Sequence, residues 1–496
     1  MNYNSTRDNG LKVTAAQAIA TGIAPDGGLF VPQNVPKLTK ADFDNLKKLS
    51  YVERASYILK NFLTDFTDEE ITYCTNGAYG GTFENNQPAP LYSLDDKTEI
   101  LELWHGPTCA FKDLALQLLP YLLTTSAKKV SSGKETVILV ATSGDTGKAA
   151  LEGFKDVEGT RIIVFYPNDG VSPMQKFQMC TQAGENVSVC AINGNFDDAQ
   201  SAVKKIFTDA NTAKLLDENG MQFSSANSIN WGRLAPQIVY YISAYCDLLI
   251  KNKNVDESGF NVVVPTGNFG NILAAYYAKK MGVPINKLIC ASNSNNVLTD
   301  FLNTGKYDRN RKFYTTVSPS MDILISSNLE RMLYELSDRD DKAVANWQAQ
   351  LSKEGTFTVT DEVKARLDDI FYGGCCNDEQ TLNTIKETYE KYGYLCDTHT
   401  AVAVNVYNNY VKKTGDDRVT VIASTASPYK FSASVLSAFG EKAPKQEFDA
   451  VDLLNAKTGA AVPAPLAQLK KAQVRFNDVC EKEDIKNTVL GYLNIK

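Results

Sequence analysis

One lysine in this chain has surroundings that suit amine chemistry. Lys112 closes the run His105-Gly106-Pro107-Thr108-Cys109-Ala110-Phe111-Lys112-Asp113, behind the apolar Ile100-Leu101 and ahead of a helical pattern over residues 114–123. A lysine partly withdrawn from water gives up its proton more readily, and the neutral amine can bond a carbonyl carbon. The same spacing fits a surface lysine at a helix start, and a short motif does not separate the two readings. Three other stretches could hold anions. Gly267-Asn268-Phe269-Gly270-Asn271 follows an apolar strand and precedes a helix, so its N–H groups can converge on an anion at the helix N-terminus; it also fits a plain tight turn. Ser143-Gly144-Asp145-Thr146-Gly147-Lys148 lacks the glycine spacing of a nucleotide P-loop and has Ala149 where Ser or Thr is required, so it reads as a second anion-binding turn suited to a carboxylate. Asn227-Ser228-Ile229-Asn230-Trp231-Gly232-Arg233 gathers hydroxyl, amide and guanidinium donors, either for a phosphate or as a helix cap with a solvated arginine.

What is scarce narrows the chemistry further. The chain has two histidines, His105 and His399, so a His-rich metal site is not expected, and acid–base work falls to lysine, carboxylates or a cofactor. No dinucleotide fingerprint of the G-x-G-x-x-G type occurs at the 267–271 loop. The ten cysteines form no C-x-x-C pair and read as reduced, mostly buried thiols of a cytoplasmic protein. A net charge of −7 gives no general attraction to nucleic acid or anionic membrane, so an anionic ligand needs a local pocket. Residues 1–10 do not resemble a signal peptide, and no apolar run is long enough to span a membrane.

These loops need a frame. The 496 residues suggest two or three domains. Short β-branched runs at 136–140, 161–166, 187–192, 262–264, 287–291 and 419–423 alternate with helical patterns at 148–154, 197–207, 234–249 and 272–280. That alternation predicts an α/β fold of parallel sheets covered on both faces, with ligands outside the carboxyl ends of the strands, where the unusual loops lie. A helical stretch over 43–62 and a helical, charged region over 318–352 are also predicted, and Pro120 should kink the helix after Lys112.

Taken in order, the motifs resemble the threonine synthase family over most of the chain. The resemblance runs through Ser5-Thr6-Arg7, Pro25-Asp26-Gly27-Gly28-Leu29-Phe30-Val31-Pro32, the Lys112 run, residues 143–147, 227–233 and 265–271, Ser318-Pro319-Ser320-Met321-Asp322-Ile323, and Asp397-Thr398-His399-Thr400-Ala401. It implies the fold type II, tryptophan-synthase-β-like architecture of pyridoxal 5'-phosphate (PLP) enzymes. The expected division is an N-terminal subdomain (1–92), a large cofactor domain (93–140 and 225–442), a small mobile domain (141–224) and a C-terminal segment (443–496). The implied reaction converts O-phospho-L-homoserine and water to L-threonine and phosphate, in a cytoplasmic monomer. By the same resemblance Lys112 bonds the cofactor aldehyde and shuttles protons. Gly267, Asn268, Phe269, Gly270 and Asn271 hold the cofactor phosphate, and Thr425 faces the ring nitrogen. Ser143, Asp145 and Thr146 lie in the loop that in related enzymes receives the substrate carboxylate, and Ser228, Asn230 and Arg233 are the candidates for the substrate phosphate. Ser427 departs from the family, which commonly has histidine there. The rival readings are another lyase or β-replacement enzyme of this fold, and a silent relative that binds PLP or phosphate esters.

Overall fold

Runs of β-branched residues form the central strands of two parallel sheets in this computed structural model, which describes residues 1–130, 133–142, 144–169, 171–194, 196–255 and 258–495. Val262, Val263 and Val264 are fully buried in the strand Phe260–Pro265, as a strand covered on both faces requires. It lies third in a six-stranded sheet ordered Phe371–Cys375, Ile285–Ser292, Phe260–Pro265, Thr420–Ser424, Thr98–Glu102 and Leu91–Ser93. All neighbours are parallel except the final pair, where Leu91–Ser93 runs antiparallel to Thr98–Glu102. A second sheet, wholly parallel, is ordered Asp478–Glu481, Val187–Asn193, Thr160–Pro167, Glu135–Ala141 and Met221–Ser224. The α/β expectation holds.

One domain limit read from the sequence differs from the observed pairing. The strand Glu135–Ala141, expected in the large domain, belongs to the five-stranded sheet, because it forms one βα unit with the loop and helix after it. The last fifty residues, which carried no reading of their own, supply that sheet's edge strand Asp478–Glu481 and the helix Ile485–Tyr492, packed on Phe196–Thr208.

Before the sheets, Tyr3–Ser5 pairs antiparallel with both Asp8–Val13 and Phe30–Pro32. The helical stretch expected over 43–62 is two helices, Lys40–Leu46 and Tyr51–Lys60. The second starts at a Ser50/Glu53 capping box, which satisfies N–H groups that a continuous helix would not leave free. Pro120 likewise produces a break and not a kink. Asp113–Leu116 ends before it, and Pro120 sits in the first turn of Leu119–Lys129, where a missing N–H costs nothing. Helix Trp231–Ile250 is buried along nearly its whole length, packed on Gly270–Lys280, Tyr51–Lys60 and Asp113–Leu116. No helix of the described residues is long and apolar enough to cross a membrane.

Candidate active site

Lys112 is delivered to the carboxyl ends of two adjacent strands. Thr98–Glu102 continues into Leu103, whose N–H donates to Ser424 O at 2.9 Å. The chain then turns, and Phe111 N–H donates to Thr425 O at 2.9 Å, while Ser427 N–H donates to Cys109 O at 3.1 Å. Ala110 bridges Ala426, so the lysine segment and the Thr425 segment are tied backbone to backbone. The turn itself is held by Asp113, whose carboxylate accepts from Thr108 N–H at 2.8 Å and Thr108 Oγ1 at 2.6 Å. A Cβ at Gly106 would lie 2.6 Å from Asp113 Cβ, so only glycine lets the turn close.

Around the lysine stand an anion and two cations. Asp145 Oδ2 lies 3.7 Å from Lys112 Nζ, and Asp145 Oδ1 lies 2.7 Å from Lys430 Nζ. Asp145 opens the helix Asp145–Phe154 and also accepts from Gln175 Nε2 at 2.8 Å and Ser320 Oγ at 3.4 Å. Burial pushes the Lys112 ammonium down; Asp145 opposes this, Arg233 and Lys430 add to it, and the result is about 8. Burial pushes the Asp145 carboxyl up, but Lys430 and Lys112 outweigh it and hold the group well below the usual carboxylate range. Burial also lowers Arg233, to about 10. A good part of the Lys112 population is therefore neutral near pH 8, the form able to bond a carbonyl.

The second anion-binding turn starts at Gly144, whose φ of 135° and close approach to Gln175 both require glycine. Thr142 Oγ1 accepts from Gly144 N–H at 3.0 Å and Gly147 N–H at 2.9 Å. The N–H groups of Asp145 and Thr146, in the first turn, have no acceptor within the helix. Thr146 is partly exposed; Ser143 lies outside the described residues. The Asp145 side chain is engaged by two lysines and would repel a carboxylate. The donors available to a carboxylate at this loop are therefore the helix N–H groups and not that side chain.

The 267–271 loop leaves its helix N-terminus uncapped. Phe269 sits in the left-handed region at φ 62° and gives the helix Gly270–Lys280 no side-chain cap, so its N-terminal N–H groups stay open. Gly267 O accepts from Ser326 Oγ at 2.8 Å, and Asn268 O from Asn328 N–H at 3.1 Å, which pins the loop. Two buried amide donors, Asn271 Nδ2 and Asn328 Nδ2, have no partner among the described residues. Asn271 Oδ1 is taken by Tyr241 Oη, and Asn328 Oδ1 accepts from Arg331 Nη1 at 2.6 Å, so each amide presents its nitrogen. Asn328 Nδ2 stands 3.5 Å from where a Gly270 Cβ would be. Buried donors without acceptors are costly, and a phosphate here would satisfy them. With Lys112 and Thr425, a buried residue, these residues fit the PLP that the sequence resemblance implies.

The 227–233 stretch divides. Arg233 is buried and donates to Ala226 O at 2.8 Å through Nη1, while its Nε has no partner among the described residues. Ser228 is partly exposed. Asn230 is fully buried as the cap of Trp231–Ile250. It accepts from Gly232 N–H at 2.9 Å and donates to Ile19 O at 3.0 Å and Ser225 O at 3.1 Å. Its hydrogen-bonding capacity is spent on backbone, which corrects its expected role as a phosphate ligand.

Lys430, Gln175, Ser320 and Asn328 were not singled out from sequence. Lys430 had a readable signal, a cation in the apolar run Ala426 to Phe431 directly after Thr425. Ser320 is held from the other side, where its N–H donates to His399 Nε2 at 3.1 Å and His399 Nδ1 meets Asp397 Oδ2 at 2.7 Å. Ser427 caps the turn Pro428–Phe431 by accepting from Tyr429 N–H at 3.3 Å; nothing in the structure explains why serine and not histidine stands there.

Comparison with known proteins places the chain in a family. Family models match in three blocks: "Threonine synthase N terminus" over residues 2–79, "Pyridoxal-phosphate dependent enzyme" over 89–360, and "Threonine synthase, C-terminal" over 400–489. Threonine synthase from Pseudomonas aeruginosa is 38% identical, covering 95% of this chain and 97% of that protein. Human threonine synthase-like 1 is 42% identical over 85% of this chain, which spans only 58% of that protein's length. The PLP-bound threonine synthase from Brucella melitensis superposes with a TM-score of 0.88 at 36% identity, covering 99% of both chains.

Proposed function

Because the chain belongs to the threonine synthase family of pyridoxal-phosphate dependent enzymes, we propose that it converts O-phospho-L-homoserine and water to L-threonine and phosphate. The observation that most supports this substrate is Arg233, a buried guanidinium whose Nε has no partner among the described residues, close enough to Lys112 to depress its proton affinity. A lyase acting on serine or threonine has no use for a second buried phosphate donor.

When bound, PLP supplies an electron sink for charge developing on the substrate's carbon skeleton. The chain's own residues do the rest in this reading. Lys112 is the residue that would hold the cofactor through its aldehyde and, as a free amine, would move protons at the substrate's Cα and Cβ. The open N–H groups of Gly270–Lys280, with Asn271, would hold the cofactor phosphate, and Thr425 would serve the ring nitrogen. The N–H groups at Asp145 and Thr146 take the substrate carboxylate. Arg233 and Ser228 grip the substrate phosphate until it leaves from Cγ, and water adds at Cβ. The reading carries a mobile five-stranded unit that closes over the substrate, and a cytoplasmic monomer.

The test is release of phosphate and formation of threonine from O-phosphohomoserine, followed together, with serine and threonine as control substrates. Wild type should release the two products in equal amounts, and Lys112→Ala should lose at least about 1,000-fold in kcat, as for loss of a covalent and proton-transfer residue. Turnover of serine or threonine instead would transfer the protein to the dehydratases. PLP loading without turnover of any of them would support a silent relative.

A further inference from the structure

Lys430 takes no part in the scheme above, yet its side chain is fully buried beside the reacting lysine. Withdrawing an ammonium from water costs several kcal/mol unless it is well paired. Its Nζ lies 2.7 Å from Asp145 Oδ1 and 2.9 Å from Thr108 O, a carbonyl of the Lys112 turn. Lys112 is 3.7 Å from the other oxygen of the same carboxylate. One carboxylate therefore faces two amines. The other charged groups nearby do not relieve this. Arg233 is a third cation on the Lys112 side. Asp113 is occupied by Thr108, Lys148 pairs with Glu152 and Gln182, and burial keeps the Cys109 thiol protonated, at about 12. The amine with the shorter contact to the carboxylate, and with a second acceptor besides, is Lys430.

We propose that Lys430 is a positioning residue: by occupying both Asp145 and the Thr108 carbonyl it leaves Lys112 as the neutral amine. This rests on the reading that Lys112 bonds an aldehyde. In that step the Lys112 lone pair forms the new C–N bond, and the carbonyl oxygen departs as water carrying the amine's two protons. An ammonium has no lone pair to begin it. Without Lys430, Asp145 would serve Lys112 alone and hold it charged.

The amine state can be read without cofactor or turnover. The cofactor-free full-length chain is labelled with trace acetic anhydride from pH 6 to 11, and label on the Lys112 peptide is quantified by mass spectrometry. For Lys430→Met the labelling midpoint should rise by about one pH unit or more, with about tenfold less label at pH 7.5. Lys430→Arg should keep the wild-type midpoint. Lys430→Met combined with Asp145→Asn should bring it back down, a restoration that a merely structural role would not produce. If Lys430→Met does not fold, Asp145→Asn alone should lower the midpoint. An unmoved midpoint in folded Lys430→Met, or in Asp145→Asn, overturns the proposal. PLP attachment, measured separately by borohydride trapping, distinguishes the two ideas. Its absence in wild type would remove the aldehyde-bonding reading, while the labelling result would still decide the role of Lys430.

Discussion

Arg233 and Asn328 are both buried, and each keeps a donor without an acceptor among the described residues. In the proposed reading they serve different anions: Arg233, near Lys112, the substrate's phosphate, and Asn328 Nδ2, against Gly270, the cofactor's. A hydrogen bond to a charged group contributes about 1.5–3 kcal/mol, so Arg233→Gln should raise KM for O-phosphohomoserine about 10- to 100-fold while leaving PLP affinity near wild type. Asn328→Ala should do the reverse, weakening PLP about tenfold with a small change in KM. Fluorescence titration with PLP and steady-state kinetics separate the two, and a shared loss in both variants would mean that a single anion site was split wrongly. These residues also mark how far the sequence could be read. Arg233 was readable because guanidinium is suited to phosphate, and Lys112 because its neighbours are apolar. Asn230 looked equally polar and is a helix cap; Asn328 gave no signal, since its orientation depends on Arg331, three residues on and fully buried.

At the scale of elements, the Lys112 turn is positioned by fit more than by sequence preference. Gly106, Thr108 and Asp113 close it, and Cys109 accepts a φ of 56° to complete it. A methyl group at residue 106 would meet Asp113 Cβ at 2.6 Å and Phe83 Cε1 at 2.8 Å, contacts that require backbone to move. Gly106→Ala should therefore destabilise the chain by about 1–3 kcal/mol through overpacking, and should reduce trapped PLP by more than the loss in folded protein explains. Thermal melting alongside borohydride-trapped PLP per folded chain checks this; unchanged stoichiometry would mean that the turn does not govern where the lysine points. The alternation of strand and helix was legible because buried parallel strands are continuous apolar runs, as at Val262 to Val264. Membership of one sheet or the other was not. Glu135–Ala141 and Ile285–Ser292 look alike as sequence, and only their pairing partners place them in different sheets. Asp478–Glu481 has two acidic ends and one half-buried cysteine, so as an edge strand it carries little of the apolar signal.

For the molecule as a whole, Asp145 joins the two sheets. It begins the helix that follows Glu135–Ala141 of the five-stranded sheet, while Lys112, Lys430 and Ser320 reach it from segments attached to the six-stranded sheet. Its carboxyl is held well below the usual range in the folded chain and returns to an ordinary carboxylate on unfolding. As pH falls below about 4 the unfolded chain takes up a proton here that the folded chain refuses, so this link stabilises fully above that pH and weakens progressively below it. Removing one partner of a buried ion pair costs about 3–5 kcal/mol, so Asp145→Asn should be markedly less stable than wild type at pH 6. Its stability should then fall less steeply from pH 5 to pH 2, so that the two urea-denaturation curves converge in acid. The comparison is made without cofactor, so that Lys112 keeps its amine. A stability gap that stays constant from pH 6 to pH 2 would show that Asp145 acts through packing, and that the charge shared between the two lysines does not hold the sheets together.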